Sequence, residues 1–212
     1  MLLFMRTSSN YEEPQTSTDA VKTIQKPSLS ANTLMIGNPD APLTMIEYTD
    51  FKCPECNKFH QAAGKEIRKT YVDTGKMNII FRPYPVFSED GGRALGGSYC
   101  ANQQAKFPEY HDAMFGYMWS TYYSKGEFDK AIENILTDSV LRTITEGIGM
   151  SYETFASCLE DPATRIAYDT DVAKAADDEI QGAPSFVING KKVTQNQPFT
   201  VFQAVIESQL RQ

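Results

Sequence analysis

From Leu43 onward, short apolar runs alternate with longer stretches of helical period, and their order predicts an architecture. Leu43–Tyr48 (LTMIEY), entered through the turn residues Asn38, Pro39, Asp40, Ala41 and Pro42, reads as a buried central strand interrupted only by Glu47. Phe59, Ala63, Ile67 and Tyr71 then recur every fourth residue, which predicts one helix with an apolar stripe running to about Thr70. Gly75 closes the connection, and Met77–Arg82 (MNIIFR) reads as a second strand. Strand, helix and strand in that order call for a parallel pair joined by a crossover helix.

Between about Gly91 and Glu179 no strand signal is convincing. Helical pieces are expected near 92–105, 108–124, 128–147, 151–160 and 163–179, with Pro108, Gly126, Gly147, Gly149 and Pro162 as breaks. Tyr110, Met114, Tyr117 and Met118 supply one apolar face; Phe155, Cys158 and Leu159 supply another. Strands return at Pro184–Asn189 (PSFVIN), where Asn189–Gly190 signals a tight hairpin into Lys191–Thr194. A last helix over Phe199–Leu210 carries Phe202, Val205, Ile206 and Leu210 on one face. The expectation is an α/β domain made of residues 33–90 and 180–212, split by an all-helical insertion at 91–179.

Ahead of Thr33 the pattern changes. Residues 6 to about 30 are rich in Ser, Thr, Pro, Gln and charge, so 1–32 reads as a flexible tether. Met1–Met5 (MLLFM) breaks at Arg6 and is shorter than the roughly 7–15 apolar residues of an export signal core. It is either a stub or the tail of an export segment whose front is missing. No run approaches the roughly 18 apolar residues of a membrane-spanning helix.

Composition narrows the function. The net charge of -7 argues against nucleic acid or an anionic membrane as partner, since both select a basic face. A chain of 212 residues buries enough apolar surface to fold without staples, so its four cysteines ask for another explanation. Two of them form Cys53–Pro54–Glu55–Cys56, between the first strand and its helix. Pro54 suits a first helical turn, which sets Cys53 at the helix N-terminus, where unpaired N–H groups and the macrodipole favour a thiolate. Thiolate is the attacking species in disulfide exchange, and Cys56, one turn further in, is placed to resolve the mixed disulfide. A zinc site needs two more ligands at suitable spacing, and neither Cys100, Cys158 nor the two histidines, His60 and His111, supply it. No metal and no cofactor are expected. Gly182–Ala183–Pro184 opens the returning strand, where Pro184 is either a trans proline capping a strand edge or, with the cysteine pair upstream, a cis-proline.

Cys100 and Cys158 leave two readings open. They are either separate buried thiols or a structural disulfide pinning two helices, worth roughly 4 kcal/mol by chain entropy. A disulfide would point to an oxidising compartment. His111, Trp119 and the stretch Tyr117–Tyr123 are expected to be packing residues, and His60 a surface residue of its helix.

Three segments together resemble DsbA-like thioredoxin domains: Ile36–Pro42 followed by Glu47–Cys56, then Ala105–Phe115, then Gly182–Gly190. The resemblance implies a thioredoxin domain interrupted by a helical one, with Cys53 the exposed nucleophile, Cys56 its partner and Pro184 the cis-proline. It implies that Glu47 is a buried acid moving protons to or from Cys56. Two positions depart from the family. Glu55 stands where strongly oxidising members have His, and its charge is expected to raise the Cys53 pKa, with Lys52 offsetting part of that. Ala183 replaces a larger or hydroxylated residue; its backbone is a candidate for pairing with an extended substrate segment. The implied function is disulfide donation to exported proteins with thiols, in the periplasm or at the cell surface. A membrane quinone-linked partner would re-oxidise the pair. A reductase or isomerase of the same fold is the alternative, followed by a non-catalytic binding module.

Overall fold

The protein is described by a computed structural model over residues 27–211. The Met1–Met5 reading lies outside the described residues, as does the tether before residue 27.

The sheet has five strands: β1 (Met35–Ile36), β2 (Leu43–Thr49), β3 (Met77–Pro83), β4 (Ser185–Ile188) and β5 (Lys191–Thr194), in the order β1-β3-β2-β4-β5. β2 lies at its centre, parallel to β3 and antiparallel to β4, and all seven of its residues are buried. That is why its sequence is nearly continuous in apolar residues where a half-exposed strand would alternate. The two faces then separate by period two. Leu43, Met45, Ile79, Phe81, Phe186 and Ile188 pack with Phe59, Ile67, Phe202 and Ile206 on one side. Ile46, Tyr48 and Val187 meet Ala175 on the other. The hairpin between β4 and β5 turns at Asn189 and Gly190, both at positive φ (43° and 87°), the geometry that Asn-Gly tolerates.

The stripe of Phe59, Ala63, Ile67 and Tyr71 is buried as expected, but it does not ride on one helix. α1 (Pro54–Gln61) stops at Ala62, α2 (Ala63–Ile67) restarts, and a π-helical turn follows at Arg68–Val72. The break lies beside Gly64, where an added Cβ would sit 3.0 Å from the Phe59 carbonyl oxygen; the bend brings those two segments into contact.

Between β3 and β4 the described residues hold only helices: α3 (Glu89–Gln103), α4 (Phe107–Thr121), a 3₁₀ turn (Tyr123–Lys125), α5 (Phe128–Ala131), α6 (Asp138–Gly147), α7 (Tyr152–Leu159) and α8 (Pro162–Asp177). α9 (Phe199–Leu210) closes the chain. The helix expected over 128–147 is in fact two. Thr137 caps α6 by accepting from the Val140 N–H, and the Asp90 carboxylate takes the N–H groups of Ile135 (2.8 Å) and Leu136 (2.9 Å), so residues 132–137 form a loop. A distant acceptor overrides local periodicity there. Cys100 on α3 and Cys158 on α7 are joined as a disulfide, with 5.6 Å between Cα atoms. This α/β sheet interrupted by helices is the thioredoxin fold with a helical insertion that the resemblance implies.

Candidate active site

After β2 the backbone turns tightly, the Cys53 N–H donating to the Asp50 carbonyl at 3.0 Å. Cys53 takes the N-cap position of α1, with φ -76° and ψ 122°, and Pro54 opens the helix. The Cys53 sulfur accepts from the Cys56 N–H at 3.3 Å, the bond a capping Ser or Asp oxygen makes at other helix starts. The pair is in its dithiol form. The Cys53 pKa is lowered, first by the hydrogen bond of the Cys56 thiol and against the effect of its own burial. Backbone N–H groups of Cys56 and Glu55 help, and the Asp50 charge opposes. Burial pushes Cys56 well up, and the neighbouring Cys53 adds to that. The two sulfurs thus divide into one that ionises readily and one that resists. The resemblance implies an exposed nucleophile, yet Cys53 is only 5% exposed against 0% for Cys56. The difference arises because Phe51, the helical core and Ala183 close around it.

Opposite the pair, the Ala183–Pro184 bond is cis, and the Cys53 thiol donates to the Ala183 carbonyl at 3.5 Å. Glu55 does not bear on Cys53 as the sequence reading expects. Its carboxylate accepts from Lys58 (2.6 Å) and Asn196 (3.3 Å), which draws it outward and lowers its pKa. The acid that opposes Cys53 is Asp50, fully buried, which accepts from the N–H groups of Lys52, Val86 and Phe87. Burial nonetheless raises the Asp50 pKa. Lys52 is turned away as well. Its ammonium group, 0% exposed, donates to Ser88, to Asp90 at 2.8 Å and to the Glu133 carbonyl, tying the active-site turn to the helical layer. The Tyr123 hydroxyl donates to the Lys52 carbonyl from the same layer.

Glu47 stands in mid-sheet with no exposure. One carboxylate oxygen meets His60 Nε2 at 2.8 Å; the other has no partner among the described residues. The expectation of a surface His60 is therefore corrected: its side chain is 13% exposed, stacked on Phe115 at 3.8 Å between ring centres. The sequence carried a signal for this, because Cys56 and His60 are one turn apart on the same helix face. His111 is a core residue, as expected, and burial pushes its pKa down to about 4. Asp50 and Asp90 gave no sequence signal, since the partners that tie them into the fold, Val86 for Asp50 and Ile135 and Leu136 for Asp90, lie 36 to 46 residues away. Among the described residues no group of three or more His, Cys, Asp or Glu side chains could hold a metal ion.

The thioredoxin family profile matches residues 29–208. The protein named "Probable disulfide bond formation protein D" in Bacillus cereus is 25% identical over 181 residues, with 83% of this chain and 78% of that one covered. The oxidised crystal structure of Bacillus subtilis BdbD superposes with a TM-score of 0.76 at 20% identity, over 89% of this chain and 97% of that one. Wolbachia pipientis α-DsbA1 gives a TM-score of 0.72 at 24% identity, over 90% and 96%. With its cysteine pair on a helix N-terminus in this fold, the chain belongs to the thioredoxin family, as a DsbA-like thiol–disulfide oxidoreductase.

Proposed function

We propose that the chain donates disulfides to proteins outside the cytoplasm through Cys53 and Cys56. The observation that carries this is the position of Cys53: its sulfur caps α1 and touches the Ala183 carbonyl, so it is the readily ionised member of the pair. In the oxidised enzyme a substrate thiolate attacks the Cys53 sulfur; the Cys53–Cys56 bond breaks, and Cys56 leaves and takes up a proton. A second substrate thiolate then attacks the substrate sulfur of the mixed disulfide, forming the substrate disulfide and releasing Cys53 as the favoured thiolate. Ala183 and Pro184 are the edge on which an extended substrate segment pairs. Pro54 fixes the first helical turn, and Glu55 tunes the rim. Glu47 handles the Cys56 proton. In this reading residues 91–179 form the inserted helical domain on the thioredoxin domain.

A membrane quinone-linked partner returns the pair to the disulfide. An extracytoplasmic location is supported by the Cys100–Cys158 bond, since such bonds persist in oxidising compartments. Among the described residues no helix is long and apolar enough to cross a membrane. The second reading, a reductase or isomerase, draws on the buried Asp50 charge beside Cys53. Equilibration with glutathione buffers followed by thiol trapping separates the two. A potential toward roughly -120 mV marks a disulfide donor, and one near roughly -270 mV a reductant. Loss of insulin reduction in Cys53→Ser excludes the binding-module alternative.

A further inference from the structure

α1 runs back along β2, and the two elements face each other in rungs. Cys56 lies near the Thr49 hydroxyl, which has no hydrogen-bond partner among the described residues, and His60 meets the Glu47 carboxylate at 2.8 Å. Thr49 and Glu47 are two residues apart on one strand face, about 6–7 Å; Cys56 and His60 are four apart on one helix face, about 6 Å. The second rung therefore lies about 6 Å beyond the first, a gap that two hydrogen bonds through one water span. It also opens on a cavity of about 350 Å³, lined by Glu47, His60, Arg68, His111, Asp112 and Phe115. Two fully or nearly fully buried acceptors in that lining, Glu47 Oε2 and His111 Nε2, have no partner among the described residues.

We infer that His60 is the relay residue through which the Cys56 proton passes between buried Glu47 and the cavity. This rests on the oxidoreductase reading and adds to it the residue that connects the buried acid to solvent. When Cys56 attacks a mixed disulfide on Cys53, its S–H proton goes through one bridging water to Glu47. The new Cys53–Cys56 bond forms, and the substrate sulfur leaves as thiolate. Glu47 then passes the proton to His60 Nε2, and the other ring nitrogen releases one to water. Run backwards, the same path reprotonates Cys56 when a substrate opens the disulfide. Every charged or titratable group facing His60 fits that task. Asp112 is paired with Arg68 at 2.6 Å and accepts from His111 Nδ1 at 3.0 Å; Lys65 lies at the rim and bonds Gln61. His111, 4.6 Å from His60 between ring centres, is kept neutral at pH 7 by burial and does not repel a protonated His60.

The reaction of the reduced protein with Ellman's reagent tests this in stopped flow. The first thionitrobenzoate reports attack by Cys53, and the second reports displacement by Cys56. His60→Gln keeps an N–H for the Glu47 oxygen but cannot carry a proton. It is expected to leave the first phase unchanged, to slow the second about tenfold or more near neutral pH, and to remove one ionisation from that phase's pH profile. His60→Ala is expected to slow the second phase equally, and added imidazole to restore it. A second phase of wild-type rate and pH profile in His60→Gln overturns the relay, as does a slow His60→Ala that imidazole leaves slow while His60→Gln is normal. Absence of any second phase in the wild-type protein would overturn the oxidoreductase reading itself.

Discussion

The two cysteine pairs of this chain sit at opposite ends of helices. Cys53 caps the N-terminus of α1, with Cys56 one turn inside. Cys100 and Cys158 lie in the last turns of α3 and α7, which end at Gln103 and Leu159. At the first place, free N–H groups and the positive end of the dipole stabilise a thiolate; at the second, the carbonyl end disfavours one. Because thiolate is both the attacking and the leaving form, the same S–S bond is easy to open in one place and reluctant in the other. Burial does not separate the pairs, since Cys158 is 8% exposed and Cys53 5%. What differs is the partner: Cys53 faces the Ala183 carbonyl just ahead of β4. Helix polarity, more than the number of cysteines, sorts structural sulfur from reactive sulfur here.

The comparison can be broken most directly at the helical pair. Replacing both Cys100 and Cys158 with Ser is expected to cost roughly 2–4 kcal/mol in urea unfolding while leaving Cys53-dependent exchange intact. Exchange that falls along with stability would mean that the two pairs act as one unit.

At the active pair, Cys53 is restrained first by its own burial and then by the buried Asp50 charge. Asp50→Asn is expected to lower the Cys53 pKa further, by about one unit or ~1.4 kcal/mol, read as the pH dependence of Cys53 alkylation. An upward shift would show that the Asp50 hydrogen bonds to Lys52, Val86 and Phe87 matter more than its charge. The same ionisation has a stability signature. Cys53 ionises below its unfolded value, so the unfolded chain holds more thiol protons between the lowered pKa and about 8.5. Reduced protein is therefore expected to become more stable, relative to oxidised, as pH rises through that window, and to lose that increment as pH falls. Cys56, raised by burial, acts in the opposite direction only above it. Thermal unfolding of both redox forms against pH checks the slope, and a flat difference would contradict the assignment of the low pKa.

What the sequence could disclose follows from the range of the forces involved. β2, the Cys53–Cys56 turn, the Asn189–Gly190 hairpin and α9 are set by neighbours within a few residues, and their apolar spacing or turn chemistry was legible. The break at Ala62 was not, since it depends on Phe59 closing on Gly64. Nor was the loop before α6, which depends on Asp90 reaching Ile135 and Leu136. The candidate site shows the same division. The cysteines, Ala183 and Pro184 stood out locally. The partnership of Glu47 with His60 and the burial of Asp50 and Lys52 arise only where α1 and the helical layer fold onto β2.

The smallest expected effect sharpens the comparison at Glu55, which with Pro54 separates the two active cysteines. Local sequence alone expects it to raise the Cys53 pKa, because a carboxylate two residues from a thiolate repels it. Its side chain is about half exposed and held by Lys58 at 2.6 Å and Asn196 at 3.3 Å, so water and an opposite charge screen it. Glu55→Gln is expected to change the Cys53 ionisation by less than about 1 kcal/mol, in the downward direction and diminishing with added salt. Alkylation rates at low and high ionic strength measure it. A shift larger than that of Asp50→Asn would put the controlling charge at the exposed rim instead of in the buried turn. The reactivity of this pair would then be set by its surface and not by the fold beneath it.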